Sequence, residues 1–204
     1  MSQPLVILGS ASPRRRELLA QLGLQFSIEA PDVDETPLAG EAAVPYVRRL
    51  AIAKAHAILA PADALVIAAD TTVEIDGDIL AKPADADDAR AMLRRLSART
   101  HRVHTGVALR LAGRTVSEVV TSLVTFTPLT PELIDWYLGT GEAFDKAGAY
   151  AVQGAGGVFV QQVRGSVSNV IGLPLHTVVQ LAAQLGAPLL APPAGAQVEG
   201  STNA

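Results

Sequence analysis

The amino-acid sequence predicts a mixed α/β fold, because segments with strand patterns alternate with segments with helix patterns along most of the chain. Short apolar or alternating runs indicate the strands, whereas apolar residues spaced three and four apart indicate the helices. Composition agrees with a packed protein: 49% of the 204 residues are hydrophobic and the mean hydropathy is +0.30. A chain of this size can bury a sizeable core in one domain or in two closely fused lobes.

The first strand is predicted at Pro4–Leu8, and a small-residue turn then leads into a helix. Ser12 suits the N-cap and Pro13 the first helical position, while Gly23 follows the end of the helix. Free N–H groups at such a terminus attract anions, and Arg14 and Arg15 add positive charge. An ordinary capped surface helix with solvated arginines explains this turn equally well.

A second strand is predicted over residues 24–30, followed by an acidic loop at 32–35 that contains Glu35. Its oxygen ligands suit magnesium or manganese, although a solvated turn is the more common role for such a loop. The next helix, residues 44–59, carries Lys54 in the middle of its apolar stripe. A lysine there must either extend to solvent along its apolar neighbours or meet an anion.

The central stretch of the chain predicts an acid and a base facing one cleft. Leu65–Ala69 has the apolar pattern of a fully buried strand, which we expect to end at Asp70. Val73–Leu80 is predicted to form a hairpin, because Asp76-Gly77 readily adopts the positive φ angles of a type I′ turn. This hairpin would return Lys82 toward Asp70.

The remaining elements follow from the same patterns, with His101 and His104 expected in packing or surface roles. They are a helix at 85–97, a long hairpin at 103–111 and 115–126, a helix beginning at Thr130-Pro131, a glycine-rich segment at 145–157, a strand at 158–163, a polar loop at 165–172 and a helix at 174–185. We expect residues 1–186 to form a single domain. Residues 187–204, rich in Pro, Ala and Gly, are expected to form a disordered tail.

Composition also argues against several classes of protein. The net charge of −4 disfavours a general nucleic-acid-binding surface. The absence of cysteine excludes disulfides, a thiolate nucleophile and cysteine-ligated zinc, and it permits a reducing cytoplasm. The N-terminus lacks a signal-peptide pattern, and the uncharged stretch 165–198 is interrupted by polar residues and prolines. We therefore expect a cytoplasmic protein that does not enter a membrane.

Several motifs together resemble the Maf (septum-formation inhibitor-like) nucleotide pyrophosphatases over about residues 4–186. Each motif is common by itself, but their conjunction in this order is specific. The motifs are Ser10-Ala11-Ser12-Pro13-Arg14-Arg15, Asp34-Glu35, Lys54, Ala69-Asp70-Thr71, Lys82-Pro83, Lys146-Ala147-Gly148-Ala149-Tyr150, Gln153-Gly154 and Asn169-Val170-Ile171-Gly172-Leu173-Pro174.

The resemblance implies a mixed twisted sheet with flanking helices, similar to inosine-triphosphate pyrophosphatase, in which two lobes surround a central cleft. It implies a cytoplasmic house-cleaning enzyme, expected to be a homodimer, that hydrolyses a nucleoside triphosphate to the monophosphate and pyrophosphate. The implied cofactor is a divalent cation: Mg²⁺, Mn²⁺ or Co²⁺. Arg14, Thr71 and Gln153 match the subgroup that acts on dTTP and UTP rather than the subgroup that acts on 7-methyl-GTP.

The same resemblance suggests a division of roles. Glu35 and Asp70 would hold the metal, and Asp70 would also take a proton from the attacking water. Lys54 and Lys82, with Arg14, would bind phosphate oxygens. The residues expected to bind substrate are Ser10, Ser12, Arg14, Arg15, Thr71 and Gln153, and those expected to act in catalysis are Glu35, Lys54, Asp70 and Lys82.

Two other functions remain open from the sequence. A non-catalytic nucleotide-binding regulator of cell division or septum formation would use the same cleft without cleaving its ligand. Alternatively, the enzyme would act on modified pyrimidine nucleotides, such as 5-methyl-UTP or pseudouridine triphosphate. Loss of the Asp70 carboxylate separates regulation from catalysis, since only catalysis needs it.

Overall fold

A computed structural model describes residues 4–190, which form a seven-stranded mixed sheet with helices packed against it. The order in the sheet is β2-β1-β3-β5-β6-β7, with β4 paired to β3; β1 is parallel to β2 and β3, and the other pairs are antiparallel. The strands are β1 Val6–Gly9, β2 Phe26–Ile28, β3 Leu65–Ile75, β4 Asp78–Leu80, β5 Thr100–Leu111, β6 Arg114–Phe126 and β7 Val160–Arg164. The predicted fold class is confirmed.

Two of the longer helices begin at residues whose side chains cap them. The Asp85 side chain accepts hydrogen bonds from the N–H groups of Asp87 and Asp88, and Thr130 accepts one from Leu133. The helices are α1 Pro13–Ala20, α2 Ala43–Ala57, α3 Ala86–Leu96, α4 Pro131–Leu138, α5 Val167–Ile171 and α6 Leu175–Gln184. In the described part of the chain, residues 4–190, no helix is long and apolar enough to cross a membrane.

Both predicted hairpins are present. Asp76 and Gly77 have φ angles of 58° and 87°, as the type I′ prediction requires, and they connect β3 to β4. Ala112 and Gly113, with φ angles of 49° and 75°, turn the long hairpin of β5 and β6 in the same way.

Three parts of the chain differ most from the predictions. β3 does not end at Asp70 but continues to Ile75, because β5 pairs with it from Val66 to Glu74. The segment predicted as a polar loop at 165–172 contains the short helix α5, where the Ser166 side chain accepts a hydrogen bond from the N–H of Asn169. Ala187 and Leu189 of the expected tail are buried against the core, whereas residues 191–204 of that tail lie outside the described residues.

Two large hydrophobic clusters lie toward opposite ends of the long strands. One contains Leu65 and Ile67 of β3 with helices α1 and α6, and the other contains Val73 and Ile75 of the same strand with helices α3 and α4. Asp70 lies on β3 between these two clusters. This division corresponds to the two lobes that the sequence predicts.

Within the described structure, one edge of β3 is unpaired in the middle of the strand. β1 ends beside it, where Gly9 pairs with Ala68, and β4 begins to pair farther along, where Leu80 meets Val73. Among residues 4–190, no strand pairs with this edge of β3 at residues 69–72. In the described part of the chain, the backbone of Asp70 and Thr71 therefore has no strand partner on this edge.

The two histidines of β5 are packing residues. His101 and His104 are 2% and 3% exposed, respectively. Nε2 of His101 lies 2.8 Å from the Tyr150 hydroxyl, and burial lowers the pKa of His101 to about 4. His104 contacts the Thr121 hydroxyl and the Glu74 carboxylate.

Candidate active site

A cavity of about 820 Å³ lies at the gap beside β3. Every residue that the sequence predicts for the site lines this cavity: Ser10, Ser12, Arg14, Arg15, Glu35, Lys54, Asp70, Thr71, Lys82 and Gln153. These residues come from the β1–α1 turn, helix α1, the loop after β2, helix α2, the β3–β4 hairpin and its continuation, and the loop before β7. The fold thus brings distant segments of the chain to one place.

Lys54 of α2 occupies the centre of the site. Its Nζ lies 2.6 Å from Oδ1 of Asp70 and 2.6 Å from Oε1 of Glu35. The side chains of Lys54 and Asp70 are 8% and 10% exposed, whereas that of Glu35 is 49% exposed. Of the two explanations for a lysine on an apolar stripe, the structure shows the anion partner rather than extension to solvent.

The charges around Glu35 keep it ionised. Burial on its own would raise the pKa of Glu35, but the hydrogen bond and charge of Lys54, with smaller effects from Lys82 and Arg15, lower the pKa below its ordinary value. Tyr46 donates a hydrogen bond to the Glu35 carbonyl oxygen at 2.9 Å, which fixes the acidic loop against α2. Burial, together with Asp70 and Glu35, raises the pKa of Tyr46 to about 12, so this phenol stays protonated.

Arg15 connects the elements that form one wall of the cavity through hydrogen bonds. Its guanidinium donates to the Gly172 carbonyl oxygen at 2.8 Å, the Thr71 hydroxyl at 3.1 Å and the Ser10 hydroxyl at 3.3 Å. Burial lowers the pKa of Arg15, while Asp70 and Glu35 act in the opposite direction, and an arginine remains cationic throughout. Arg15 therefore joins α1, β3 and the turn after α5 while adding positive charge.

A buried hydrogen-bond chain continues from Thr71. Its hydroxyl lies 2.9 Å from that of Thr105, which donates to the Asn169 carbonyl oxygen at 2.9 Å. The Asn169 side chain is fully buried, and its amide donates to the Val103 carbonyl oxygen and the Ser122 hydroxyl. Asn169 was part of the sequence motif without an assigned role, and the structure places it as a support behind Thr71.

Polar groups at the mouth of the cavity differ from those at its floor. Lys82 and Gln153 are exposed, whereas Lys54, Asp70 and Ser10 are buried. A ligand that entered the cavity would meet the amide of Gln153 near solvent and the charged cluster deeper inside. This gradient suits a molecule with one anionic end and one end that carries hydrogen-bonding groups.

Sequence reasoning missed three residues around the site. Lys146 is 8% exposed, lines the cavity, and pairs with the Asp145 carboxylate; its position in a resemblance motif was the available signal. Glu142 holds the loop that carries Gln153, through contacts described below. Gly106 faces α2 so closely that a Cβ there would lie 2.2 Å from the Val47 carbonyl oxygen, a contact that no local pattern reveals.

The carboxylates of the site suit a divalent cation that is bound partly by the protein and partly by the substrate. Glu35 and Asp70 are two carboxylates of the kind that bind Mg²⁺. Within residues 4–190, no group of three or more His, Cys, Asp and Glu side chains is placed to hold a metal ion. Magnesium commonly binds through one or two carboxylates together with substrate phosphates, and this donor set matches that arrangement.

The fold and the cavity have the features of a phosphate-binding protein, because arginines, lysines and a helix N-terminus converge on one cavity that also contains carboxylates. The match to the Maf-like protein family model covers residues 5–185, and the chain belongs to this family. Sequence similarity extends over nearly the full length of known relatives. The chain is 56% identical over 189 residues to the dTTP/UTP pyrophosphatase of Myxococcus xanthus (strain DK1622), covering 92% of this chain and 95% of the relative.

A more distant relative has the same name. The chain is 44% identical over 191 residues to the dTTP/UTP pyrophosphatase of Symbiobacterium thermophilum, covering 93% of this chain and 98% of the relative. Among solved structures, the Staphylococcus aureus Ham1 protein overlaps with a TM-score of 0.44 and 15% sequence identity. That overlap covers 59% of this chain and 71% of Ham1.

Proposed function

We propose that this chain is a nucleoside triphosphate pyrophosphatase that hydrolyses dTTP and UTP to the monophosphate and pyrophosphate. The observation that carries the proposal is the contact of Lys54 with both Asp70 and Glu35 inside a cavity lined by further cations. The high identity to relatives named dTTP/UTP pyrophosphatases supports the choice of reaction and substrate.

The reaction needs a water to attack the α-phosphorus while the bond from that phosphorus to the bridging oxygen breaks. Lys54 engages Oδ1 of Asp70, and we assign Oδ2 to accept the proton of the attacking water. The water oxygen becomes part of the monophosphate, and pyrophosphate leaves with the bridging oxygen. Lys54 orients the Asp70 carboxylate for this proton transfer.

The phosphate chain is held by cations from three elements. Arg14 and the N-terminal N–H groups of α1 approach from one side, Lys82 from the β3–β4 hairpin, and Lys54 from the floor. Lys54 is fixed before substrate arrives by its ion pairs with Asp70 and Glu35, so it stabilises developing negative charge without reorganising. Glu35 and Asp70 would hold a divalent cation, which, when bound, neutralises phosphate charge and polarises the scissile phosphate.

Base recognition is assigned to Gln153 at the mouth of the cavity. Its amide oxygen can accept a hydrogen bond from N3–H of uracil or thymine, while its NH₂ group donates to a neighbouring carbonyl oxygen of the base. This paired donor and acceptor is complementary to uracil and thymine. Because the residue is exposed, the same pocket would admit pyrimidines modified on the solvent side.

The decisive experiment measures pyrophosphate release from dTTP, UTP, CTP, GTP and 7-methyl-GTP with Mg²⁺, Mn²⁺ or Co²⁺. Wild type is compared with Asp70→Asn and with Asp63→Asn, an exposed aspartate outside the cavity, as the matched control. We expect release from dTTP and UTP to fall by about 100-fold or more in Asp70→Asn and to persist in the control. A folded wild type that released nothing would refute the proposal, and Asp70→Asn with full activity would refute the assigned mechanism.

Three finer features belong to the same proposal. The rates with Mg²⁺, Mn²⁺ and Co²⁺ in that assay identify the preferred cation. We expect a homodimer, for which sedimentation equilibrium would give twice the mass of the monomer. A cytoplasmic location predicts that the full chain, tagged at its C-terminus, fractionates with soluble cell contents.

A further inference from the structure

The loop that carries Gln153 lacks a strand or a regular helix to hold it. It runs from Glu142 to Gly156, and its ordered turns are the short 3-10 helices at Ala147–Ala149 and Ala155–Phe159. Gln153 lies between these turns, on an exposed part of the loop. Selection of a base by one amide needs that amide to be fixed, so some other contact must order the loop.

The carboxylate of Glu142 provides such contacts. Oε2 accepts a hydrogen bond from the Ala155 N–H at 2.9 Å, and Oε1 accepts one from the Gly156 N–H at 3.3 Å. Oε1 also accepts from the Tyr137 hydroxyl at 3.0 Å, and Tyr137 is fully buried in the core. One carboxylate therefore ties the loop, two and three residues after Gln153, to helix α4.

Gly154, the residue after Gln153, leaves the space that this carboxylate occupies. A Cβ on Gly154 would lie 2.0 Å from Oε2 of Glu142, so any larger residue would displace the carboxylate. The φ and ψ angles of Gly154, −113° and −153°, lie in the extended region that other residues also adopt. Close approach to Glu142, rather than backbone conformation, therefore explains the need for glycine here.

We propose that Glu142 is a positioning residue that sets the base preference of the pocket by fixing the loop on which Gln153 lies. The proposal rests on the proposed function for the identity of the base. Both carboxylate oxygens face N–H or O–H donors, and a carboxylate meets all of them because it only accepts. An amide at this position would direct its NH₂ group toward one of these donors, which loosens the loop without changing the shape of the side chain.

The test compares equilibrium binding of α,β-imido-UTP and α,β-imido-CTP, which resist cleavage at the bond in question. The variants are Glu142→Gln and Gly154→Ala, with Glu118→Gln, an exposed glutamate on β6, as the matched control. Affinity for inorganic pyrophosphate is measured alongside, because Arg14, Lys54 and Lys82, to which the proposed function assigns phosphate binding, lie on other elements.

We expect both variants to reduce the preference for the uridine analogue over the cytidine analogue by on the order of tenfold, since an ordered hydrogen bond to the base is lost. Pyrophosphate affinity and the Glu118→Gln control should stay at the wild-type level. An unchanged preference in a folded Glu142→Gln or Gly154→Ala would overturn the inference, as would an equal loss of pyrophosphate affinity, which indicates general disruption. Wild-type turnover of UTP, measured separately, reports on the proposed function and leaves this binding comparison intact.

Discussion

Replacing Lys54 by methionine should destabilise the protein through the buried charges it leaves behind. Methionine is similar in length and apolar, so it suits the apolar stripe of α2 and isolates the loss of charge. In wild type, Nζ lies 2.6 Å from oxygens of both Asp70 and Glu35. In Lys54→Met these two carboxylates face each other across the cavity floor without the cation between them.

The expected magnitude follows from the burial of each partner. Two unit charges 2.6 Å apart attract by about 6 kcal/mol at an effective dielectric constant near 20, and much of this attraction offsets desolvation. Removing one partner of a buried pair costs about 3–5 kcal/mol, because the other charge remains buried. Asp70 meets this condition, while Glu35, whose side chain is 49% exposed, adds little. We expect the free energy of unfolding at pH 8 to fall by about 3 kcal/mol.

The small part of the deficit that comes from Glu35 should disappear as the pH falls. The pKa of Glu35 is lowered in the folded protein, since the hydrogen bond and charge of Lys54 outweigh its burial. A lowered carboxyl pKa contributes stability above the pKa of the unfolded chain, and this contribution disappears as the pH falls through the folded value. Lys54→Met lacks the part of that contribution that Lys54 provides, and its unpaired Glu35 carboxylate can protonate in acid. The part of the deficit that comes from Glu35 is therefore complete above about pH 6 and declines toward pH 4.

Urea unfolding followed by circular dichroism from pH 4 to pH 8 measures this difference. Lys82→Met is the matched control, because Lys82 is exposed, and we expect its unfolding free energy to stay within about 0.5 kcal/mol of wild type. Wild-type stability in Lys54→Met at pH 8 would refute the reasoning. A deficit that grew toward acid would contradict the role assigned to the Glu35 carboxylate.

Two further predictions concern substrate choice and packing. Gln153→Glu should weaken use of dTTP and UTP by tenfold or more, because a carboxylate cannot donate to a base carbonyl oxygen, and comparison of kcat/KM values for the two proteins tests this. Gly106→Ala should destabilise the fold by about 1–3 kcal/mol and slow turnover, since its Cβ would meet the Val47 carbonyl oxygen and push α2, with Lys54, away from β3. Thermal unfolding and the pyrophosphate assay test that change, and an unaltered melting temperature would contradict the packing explanation.

Local patterns were sufficient for much of the fold, whereas most of the candidate site residues came from the family resemblance; all of them line one cavity. The turn at Asp76-Gly77 and the cap at Asp85 depend on neighbours in the sequence, so their chemistry is visible there. Lys54 was conspicuous because a charge interrupted an apolar stripe. The end of β3 was mispredicted because its continuation past Asp70 depends on pairing with β5, which lies some 30 residues later. Gly106 and Glu142 were missed for the same reason, since their contacts join segments that the sequence does not show to be close.

The gap between β1 and β4 explains how β3 can place side chains from both of its faces, Asp70 and Thr71, in the same site. Successive residues of a strand point to opposite faces, so Asp70 faces α2 and Lys54 while Thr71 faces Arg15 and the turn after α5. Inside a fully paired sheet, these two groups would be separated by the sheet itself. Because β1 ends beside Ala68 and β4 begins beside Val73, a ligand at this edge can contact both faces. A triphosphate lying across this edge would contact the Asp70 carboxylate on one face of the sheet and the Thr71 and Arg15 side chains on the other. The positions at which β1 ends and β4 begins therefore determine the site as much as any side chain does.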